Sequence, residues 1–222
     1  MGQIQLKNID PMQILALDHF VTEDNIVQPR PYKELLEFGH DLLRQWMFFK
    51  GVYQMITTEQ VEWCKDFIGD SKAIEVACGL GTLGRSLGIP FTDRKTQEEM
   101  HTQLQMAVAG QPPIEYPSDV EHLDANSAVK HYQPDIVLGC WVTAQTDVHK
   151  PILKQYGPDP TKVNERKLIR EVKTYVHFGH EKIHGNKKTL KLPHQKLQFP
   201  WLISRTPNLI NKKNVVYVWK SK

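Results

Sequence analysis

A glycine-rich turn between an apolar strand and a short helix constrains the fold of this chain most. Residues 73–88 read AIEVACGLGTLGRSLG, in which Gly79, Gly81 and Gly84 have the spacing GxGxxG. Glycines at such a turn permit left-handed backbone and let a ligand approach the main chain, while free amides at a helix start offer it donors. The segment therefore predicts a nucleotide-type binding turn in an α/β fold.

Strand and helix patterns alternate after this turn. Apolar strands are predicted at IPFTD (89–93), DIVLGCWV (135–142) and TYVHFG (174–179), and helices at TQEEMHTQLQMAV (96–108) and TKVNERKLIREV (161–172). Such alternation predicts a Rossmann-like, mostly parallel sheet with helices on both faces. Near the C-terminus, WLISRT (201–206) and NVVYVWK (214–220) are predicted to form an antiparallel strand pair, with HGNKKTLKLPHQK (184–196) as a polar loop before them.

The residues before the turn predict helices. One should run from Pro31 to Gly51 with an apolar face, and a second should begin at Thr57, three residues ahead of Gln60, and end at Gly69. Aromatic residues just before the turn pack in the core or line a pocket; they are Phe48, Phe49 and Tyr53. We expect residues 1–56 to be a helical N-terminal extension packed on a Rossmann-like domain of residues 57–222.

Composition narrows the class of protein. With 222 residues, 40% hydrophobic and 24% charged, the chain is expected to fold as one globular body. It contains no apolar run of about 18 residues, and residues 1–10 lack a signal-peptide pattern, so a cytoplasmic protein without a membrane span is expected. Three widely spaced cysteines, without CxxC spacing, predict reduced thiols and neither a disulfide framework nor a zinc site; they are Cys64, Cys78 and Cys140.

Charge is divided unevenly along the chain. Residues 1–149 carry 11 Lys or Arg and 21 Asp or Glu, whereas residues 150–222 carry 17 and 4. The net charges are thus −10 and +13, within a total of +3. A basic C-terminal part can bind an anionic partner, for which residues 182–196 are the candidate nucleic-acid surface, although lysines also simply keep a surface solvated.

Two carboxylates near the turn bear on the ligand. A dinucleotide fold places its ribose-binding acid about 20 residues after the first glycine, but Asp93 comes only 14 residues after Gly79. Glu75 precedes Gly79 by four residues, within a strand that is otherwise apolar. A carboxylate there suits a cationic ligand better than a pyrophosphate, so a dinucleotide oxidoreductase is the weaker alternative.

At these residues the sequence resembles the class I S-adenosylmethionine-dependent methyltransferases. The resemblance covers roughly residues 60–222, and its first motif matches Glu75, Ala77, Gly79 and Gly81. It implies a Rossmann-like fold, S-adenosylmethionine as cofactor and methyl transfer to an unknown acceptor. It further implies that Glu75 balances the charge of the methionine end, Asp93 receives the ribose hydroxyls and HLDA (122–125) faces the adenine. The cofactor-binding residues implied are Glu75, Ala77, Gly79, Gly81, Asp93, Asp124, Ala125, Cys140 and Trp141.

More narrowly, three segments resemble an uncharacterised bacterial and phage methyltransferase-like group; they are LGIPFTD, GQPPIEYPSDVEHLDA and VHFGHEKIH. The chain also departs from the family. Ala77 stands where the family has a glycine, and its methyl group is expected to crowd the methionine end. The strand DIVLGCWV, which matches the family's fourth strand, carries Cys140 and Trp141 near its end, without the Pro-Pro or Pro-Cys motifs of base methyltransferases, so Cys140 is expected to be a buried thiol rather than a nucleophile.

Each site residue has a structural alternative. Glu75 could be a capping carboxylate, Asp93 a turn residue, and Asp124 the N-cap of the helix ANSAVKHY. His149 is a candidate general base without a visible partner. A second cluster invites a metal or a substrate-facing role, with surface histidines as the alternative; its members are His177, His180, Glu181 and His184.

Two classes of function follow. The first is a methyltransferase, in which positioning the two reactants contributes roughly 7 to 11 kcal/mol without requiring a dedicated base. The alternative is a non-catalytic module that uses the same fold and the basic C-terminal face to bind nucleic acid or a protein.

Overall fold

The computed structural model describes residues 10–108, 110, 112–142, 163–184, 187–206 and 213–221. The N-terminal part is mainly helical. Its elements are α1 (Pro11–Val21), β1 (Thr22–Glu23), β2 (Ile26–Val27), α2 (Tyr32–Glu37), α3 (His40–Phe49), β3 (Gln54–Met55) and α4 (Thr58–Ile68).

The helix predicted between Pro31 and Gly51 is two helices. Gly39 separates α2 from α3 with a φ of 77°, a backbone conformation that glycine adopts without the steric penalty of a Cβ atom. The break lets the two helices turn separately onto one core. α4 confirms its prediction, because the Thr57 hydroxyl accepts a hydrogen bond from the Gln60 amide at 3.2 Å.

The remaining elements build the central sheet and its cover. They are β4 (Ala73–Val76), α5 (Thr82–Leu87), β5 (Phe91–Asp93), a 3-10 turn (Thr96–Glu98), α6 (Met100–Val108), β6 (Glu121–His122), α7 (Ala125–Tyr132), β7 (Ile136–Cys140), α8 (Glu165–Glu171), β8 (Thr174–His180), α9 (Lys187–Leu190), β9 (Gln195–Leu197), β10 (Ile203–Ser204) and β11 (Asn214–Lys220).

Seven strands form one sheet in the order β6-β5-β4-β7-β8-β11-β9. The first five run parallel, and β11 lies antiparallel between β8 and β9. All four residues of β4 are buried, as expected of a strand with both faces covered. This confirms the α/β class, the mostly parallel Rossmann-like sheet and its antiparallel C-terminal strands.

The predicted partner of the last strand was wrong. The segment WLISRT contributes β10, which pairs with β3, whereas β11 pairs with β8 and with β9. Six of the seven residues of β11 are buried, so this strand needs a neighbour on each side. The predicted polar loop supplies most of one of them, since it contains α9 and the first two residues of β9.

The third strand of the parallel half is short. β6 has two exposed residues at the edge of the sheet, and the second of them, His122, begins the segment that was predicted to face an adenine. The helix predicted over 96–108 is also divided, because extended backbone at Glu99 separates the 3-10 turn from α6.

The N-terminal helices have a core of their own. Trp46, Leu43 and Leu17 are fully buried there, and Ile203 of β10 joins the same cluster. Pairing of β3 with β10 thus connects the N-terminal part to the C-terminal part. The boundary at residues 56 and 57 stays a prediction. None of the helices in the described ranges has the length and apolarity needed to cross a bilayer.

Candidate functional site

The carboxyl ends of β4, β5 and β7 define the candidate site. β4 lies between the other two, so the sheet extends from it in opposite directions. Open α/β sheets bind ligands in the crevice beyond the strand ends at such a point. The glycine turn follows β4, Asp93 ends β5, and Cys140 ends β7.

The turn itself has left-handed backbone. Gly81 has a φ of 70° and is followed directly by α5. Ala77, which stands where the resemblance implies a glycine, has a φ of 51°, a conformation that costs a residue with a Cβ atom roughly 1 kcal/mol. The chain thus keeps the left-handed turn at Ala77 in spite of the substitution.

The amides of the three motif glycines are already bonded within the protein. The Gly79 amide donates to Oδ2 of Asp93 at 2.9 Å, and the Gly84 amide donates to Oε2 of Glu75 at 2.7 Å. The Gly81 amide donates to the Cys78 carbonyl at 3.0 Å. A phosphate would need such amides for itself. This turn is therefore suited to a ligand without phosphate at the loop, which disfavours the dinucleotide alternative.

Glu75 lies beneath the turn. Only 1% of it is exposed, and burial raises the pKa of its carboxyl group to about 8, although the hydrogen bond from the Gly84 amide acts in the opposite direction. The position matches the capping alternative, since the carboxyl group ties β4 to α5. Direct contact of Glu75 with a ligand amine stays a prediction.

Asp93 brings β5 to the glycine turn. Its carboxylate accepts hydrogen bonds from the amides of Gly79 and Lys95, at 2.9 and 2.8 Å. Burial raises its pKa, and these hydrogen bonds partly offset the shift. Tyr116 lies near this carboxylate but was not predicted, because its position in an irregular segment carries no periodic pattern.

Asp124 caps α7, which is the alternative given for it above. Its carboxylate accepts from the amides of Asn126 and Ser127 at 3.0 and 3.2 Å, and the Ser127 hydroxyl is the main cause of its lowered pKa. Ala125 is buried in the first turn of this helix. The backbone nevertheless places the pair next to the site, since the Leu123 amide donates to the Asp93 carbonyl at 3.0 Å. A contact with adenine stays a prediction.

Trp141 lies at the end of β7 in a constrained conformation. Its φ is 52°, its amide donates to the Phe178 carbonyl at 2.8 Å, and its indole N–H donates to Oε1 of Gln54 at 2.8 Å. Tyr53 lies beside it with ring centroids 6.1 Å apart, so one of the three aromatics considered for a pocket does reach this edge. Cys140 just before it has a pKa well above the usual value because of burial, which argues against a nucleophilic thiolate.

The histidines of β8 and the following turn form a buried cluster. His177 Nδ1 lies 2.8 Å from Oε1 of Glu165, and His184 Nδ1 accepts from the His180 amide at 2.9 Å. Burial lowers the pKa of His184 well below its usual value. Within the described residues, no group of three His, Cys, Asp or Glu side chains is arranged to hold a metal ion. Glu181, the fourth member predicted for the cluster, is exposed and forms an ion pair with Lys196, whose Nζ lies 2.9 Å from its Oε1.

Glu165 was missed by the sequence analysis. It begins α8 and is 5% exposed, and its carboxylate also accepts from the Tyr175 hydroxyl at 3.1 Å. The sequence signal that could have indicated it is its spacing, since Glu165 precedes Leu168 by three residues and therefore lies on the same face of the helix. The candidate general base His149 lies outside the described residues.

A cavity of about 490 Å³ lies at the amino ends of the central strands, away from the glycine turn. It is lined by Ile136 and Thr174, the first residues of β7 and β8, and by the ion pair of Asp135 with Lys173 at 2.6 Å. Ligands of open α/β sheets bind at the carboxyl ends of the strands, so we place the functional site at the glycine turn instead.

Comparison of the sequence with protein-family models and with curated proteins gives no match. Several solved structures are similar. The methyltransferase domain of METTL16 has 14% identity and a TM-score of 0.42, covering 95% of this chain and 97% of that one. An rRNA methylase from Streptococcus thermophilus has 14% identity and a TM-score of 0.36, covering 72% and 96%.

The tRNA (uracil-54, C5)-methyltransferase of Pyrococcus abyssi, in complex with S-adenosyl-L-homocysteine, has 13% identity and a TM-score of 0.34. The alignment covers 73% of this chain and only 37% of that one. All three TM-scores are below 0.5, so these similarities do not indicate a function for this chain.

Proposed function

We propose that this chain binds S-adenosylmethionine at the glycine turn and transfers its methyl group to an acceptor. The single observation that carries the proposal is the hydrogen bond from the Gly79 amide to the Asp93 carboxylate at 2.9 Å. It joins two adjacent strand ends, so that a carboxylate able to accept from ribose hydroxyls lies directly beside a turn that allows close approach.

Two buried carboxyl groups at the turn favour a cationic nucleoside over a nucleotide. Glu75 and Asp93 are both buried there, and the pKa of each is raised. A nearby positive charge favours the ionised form of a carboxyl group, whereas a phosphate would oppose it. S-adenosylmethionine combines a ribose with a sulfonium and an ammonium group, and carries no phosphate.

The residues fit this cofactor in distinct ways. Gly79 and Gly81 would let its methionine end approach the main chain, and Asp93 would orient it through the ribose. Asp124 and Ala125 would lie by the adenine. Cys140 and Trp141, at the end of β7, would wall the space for the acceptor. When bound, the cofactor supplies an activated methyl group, and the role of these residues is to hold it and the acceptor in register, which can contribute roughly 7 to 11 kcal/mol of barrier lowering.

Native mass spectrometry of gently purified protein tests the proposal. We expect a fraction of the chain to carry S-adenosylmethionine or its demethylated product. Incubation with cofactor bearing a labelled methyl group and total RNA, DNA or protein as acceptor should then transfer the label. Protein that remains free of ligand after incubation with millimolar cofactor would contradict the proposal.

A second candidate function rests on the basic C-terminal part. Four lysines between residues 182 and 196 are exposed; they are Lys182, Lys188, Lys191 and Lys196. Lys196 pairs with Glu181 at 2.9 Å. Such a surface is suited to a polyanion, either as the acceptor of the methyl group or as the sole ligand of a non-catalytic module.

Salt dependence separates these candidates. If the lysine surface binds RNA or DNA, the logarithm of the binding constant should fall with the logarithm of salt concentration with a slope of about −2 to −4, one unit for each phosphate contacted. Changing Lys188 and Lys191 to Ala should reduce the magnitude of that slope by about two. The control Lys33→Ala, at an exposed position of α2, should leave the slope unchanged. A fluorescence anisotropy titration with a labelled oligonucleotide measures the slope, and one near zero would contradict the nucleic-acid surface.

A further inference from the structure

The turn after β8 folds a histidine back onto the end of the strand. Residues 180–184 form this turn, in which the His184 amide donates to the His180 carbonyl at 2.8 Å. Both side chains are buried, with 0% of His180 and 7% of His184 exposed. Gly179 makes room for them, because a Cβ atom there would lie 2.4 Å from Nε2 of His177 and 2.7 Å from Nδ1 of His184. The imidazole rings of all three histidines are therefore packed together at the end of β8.

Two of these rings bind the main chain of the turn through their lone pairs. Nδ1 of His184 accepts from the His180 amide at 2.9 Å, and Nδ1 of His180 accepts from the Lys182 amide at 3.2 Å. An imidazole accepts a hydrogen bond only through an unprotonated ring nitrogen. A proton added at Nδ1 of His184 would face the N–H group that this nitrogen now binds. The closed turn thus requires the neutral form of His184.

The surroundings of His184 also favour its neutral form. The ring of His177 lies 4.9 Å away between centroids, and Glu165 binds that ring, with its Oε1 2.8 Å from Nδ1 of His177. Burial lowers the pKa of His184 well below its usual value, and the neighbouring histidines add to the shift. The other titratable groups of β8 and the turn are exposed or bonded to other partners; they are Tyr175, Glu181 and Lys182.

Trp141 connects the turn to the candidate site. Its indole ring and the ring of His184 make an edge-to-face contact, with centroids 4.8 Å apart and an interplanar angle of 83°. The backbone of Trp141 has a φ of 52°, a conformation that persists in a residue other than glycine only when its surroundings hold it. Loss of the His184 ring would remove one of the contacts that keep Trp141 in place.

We propose that residues 180–184 form a pH-sensitive latch, which holds Trp141 in place while His184 is neutral and releases it when His184 binds a proton. The closed turn excludes this proton, whereas an open turn accepts it near the usual imidazole value of about 6.5, so opening becomes easier as the pH falls below that value. The latch depends on the contacts of Trp141 alone. Its consequence for catalysis rests on the proposed function, in which Trp141 walls the acceptor space: the wall is complete near neutral pH and is lost in acid.

Amide hydrogen exchange between pH 7 and 5, followed by NMR, tests the latch without any ligand. Protection factors are corrected for the intrinsic exchange rate at each pH. The amide of His180 reports on the turn, and the amide of Trp141, which donates to the Phe178 carbonyl, reports on the release. His184→Asn removes the titrating group but keeps an acceptor atom at the position of Nδ1. His19→Asn is the matched control, since His19 is exposed at the end of α1. A thermal melt of each variant at pH 7 verifies that it is folded.

In wild type and in His19→Asn, we expect both protection factors to fall together between pH 6 and 5, by at least about tenfold per pH unit, because opening takes up at least one proton. In His184→Asn the dependence should be weaker by about tenfold per pH unit, since one proton fewer is taken up.

Three results would overturn the latch. Protection factors of the wild type that do not change with pH would do so whether or not His184→Asn folds. A dependence in folded His184→Asn as steep as that of the wild type would do so as well, and so would a fall at His180 without one at Trp141. These outcomes leave the proposed function untouched, because that function fails only if the chain does not bind S-adenosylmethionine at millimolar concentration.

Discussion

The free energy of unfolding should fall as the pH rises from 6.5 to 8, because burial favours the protonated form of Glu75. The pKa of its carboxyl group is raised from 4.5 to about 8, so in this window the folded chain holds a proton that the unfolded chain has released. This stabilisation is present in full below the unfolded value and is lost as the pH approaches the folded value, at about 1.4 kcal/mol per pH unit. Asp93, whose pKa is also raised, contributes with the same sign. The window begins at pH 6.5 because His184 and His40, whose pKa values are lowered by burial, contribute with the opposite sign below it.

Glu75→Gln should remove most of this slope. An amide oxygen can still accept from the Gly84 amide, but the side chain no longer titrates, so unfolding by urea at pH 6.5, 7, 7.5 and 8 should give similar free energies. Glu62→Gln is the control, because Glu62 is exposed on α4 and the slope should persist. A wild-type protein whose stability is flat or rises over this range would show that Glu75 is ionised in the folded chain.

Gly81→Ala should destabilise the protein by roughly 2 to 5 kcal/mol. A Cβ atom at residue 81 would lie 2.7 Å from two ring carbons of Phe91 and would stand in left-handed backbone with a φ of 70°. Strain at such a φ costs about 1 to 2 kcal/mol, and overpacking adds about 1 to 3. Denaturant unfolding measures the change.

Gly88→Ala separates these two effects. Gly88 also has left-handed backbone, with a φ of 65°, but a Cβ atom there would meet nothing within 4 Å. Its substitution should therefore cost only about 1 kcal/mol. Equal effects at residues 81 and 88 would mean that Phe91 moves aside and that the turn is not closely packed against β5.

The elements that the sequence predicts best are those with local patterns. β4, the glycine turn and Asp93 lie within about twenty residues, and their order follows from apolar runs broken by glycines. Thr57 identified the start of α4 for the same reason, since a cap and its partner are three residues apart.

The errors arise where pairing is long-range. β10 and β11 are neighbours in sequence but do not pair with each other. β10 pairs with β3, and β11 lies between β8 and β9. Nothing in an alternating pattern states which strand lies beside it. The break at Gly39 was missed for a different reason, because the apolar period of the two helices continues across it.

The candidate site contains some features that a simple rule predicts from the sequence and others that depend on long-range packing. The position of Asp93 beside Gly79 follows from the rule that parallel strands end at one edge. Tyr116 lies near Asp93 because of how an irregular segment packs on the sheet. Glu165 lies beside His177 because of how a helix packs on it. No spacing rule brings those residues together.

A calorimetric titration of S-adenosylmethionine into the wild-type chain decides whether the glycine turn binds this cofactor. We expect saturable binding of one cofactor per chain, weakened at least about tenfold by Asp93→Asn, which cannot accept from the ribose as a carboxylate does. Absence of saturable binding at millimolar cofactor, or equal affinity in the folded Asp93→Asn variant, would contradict it.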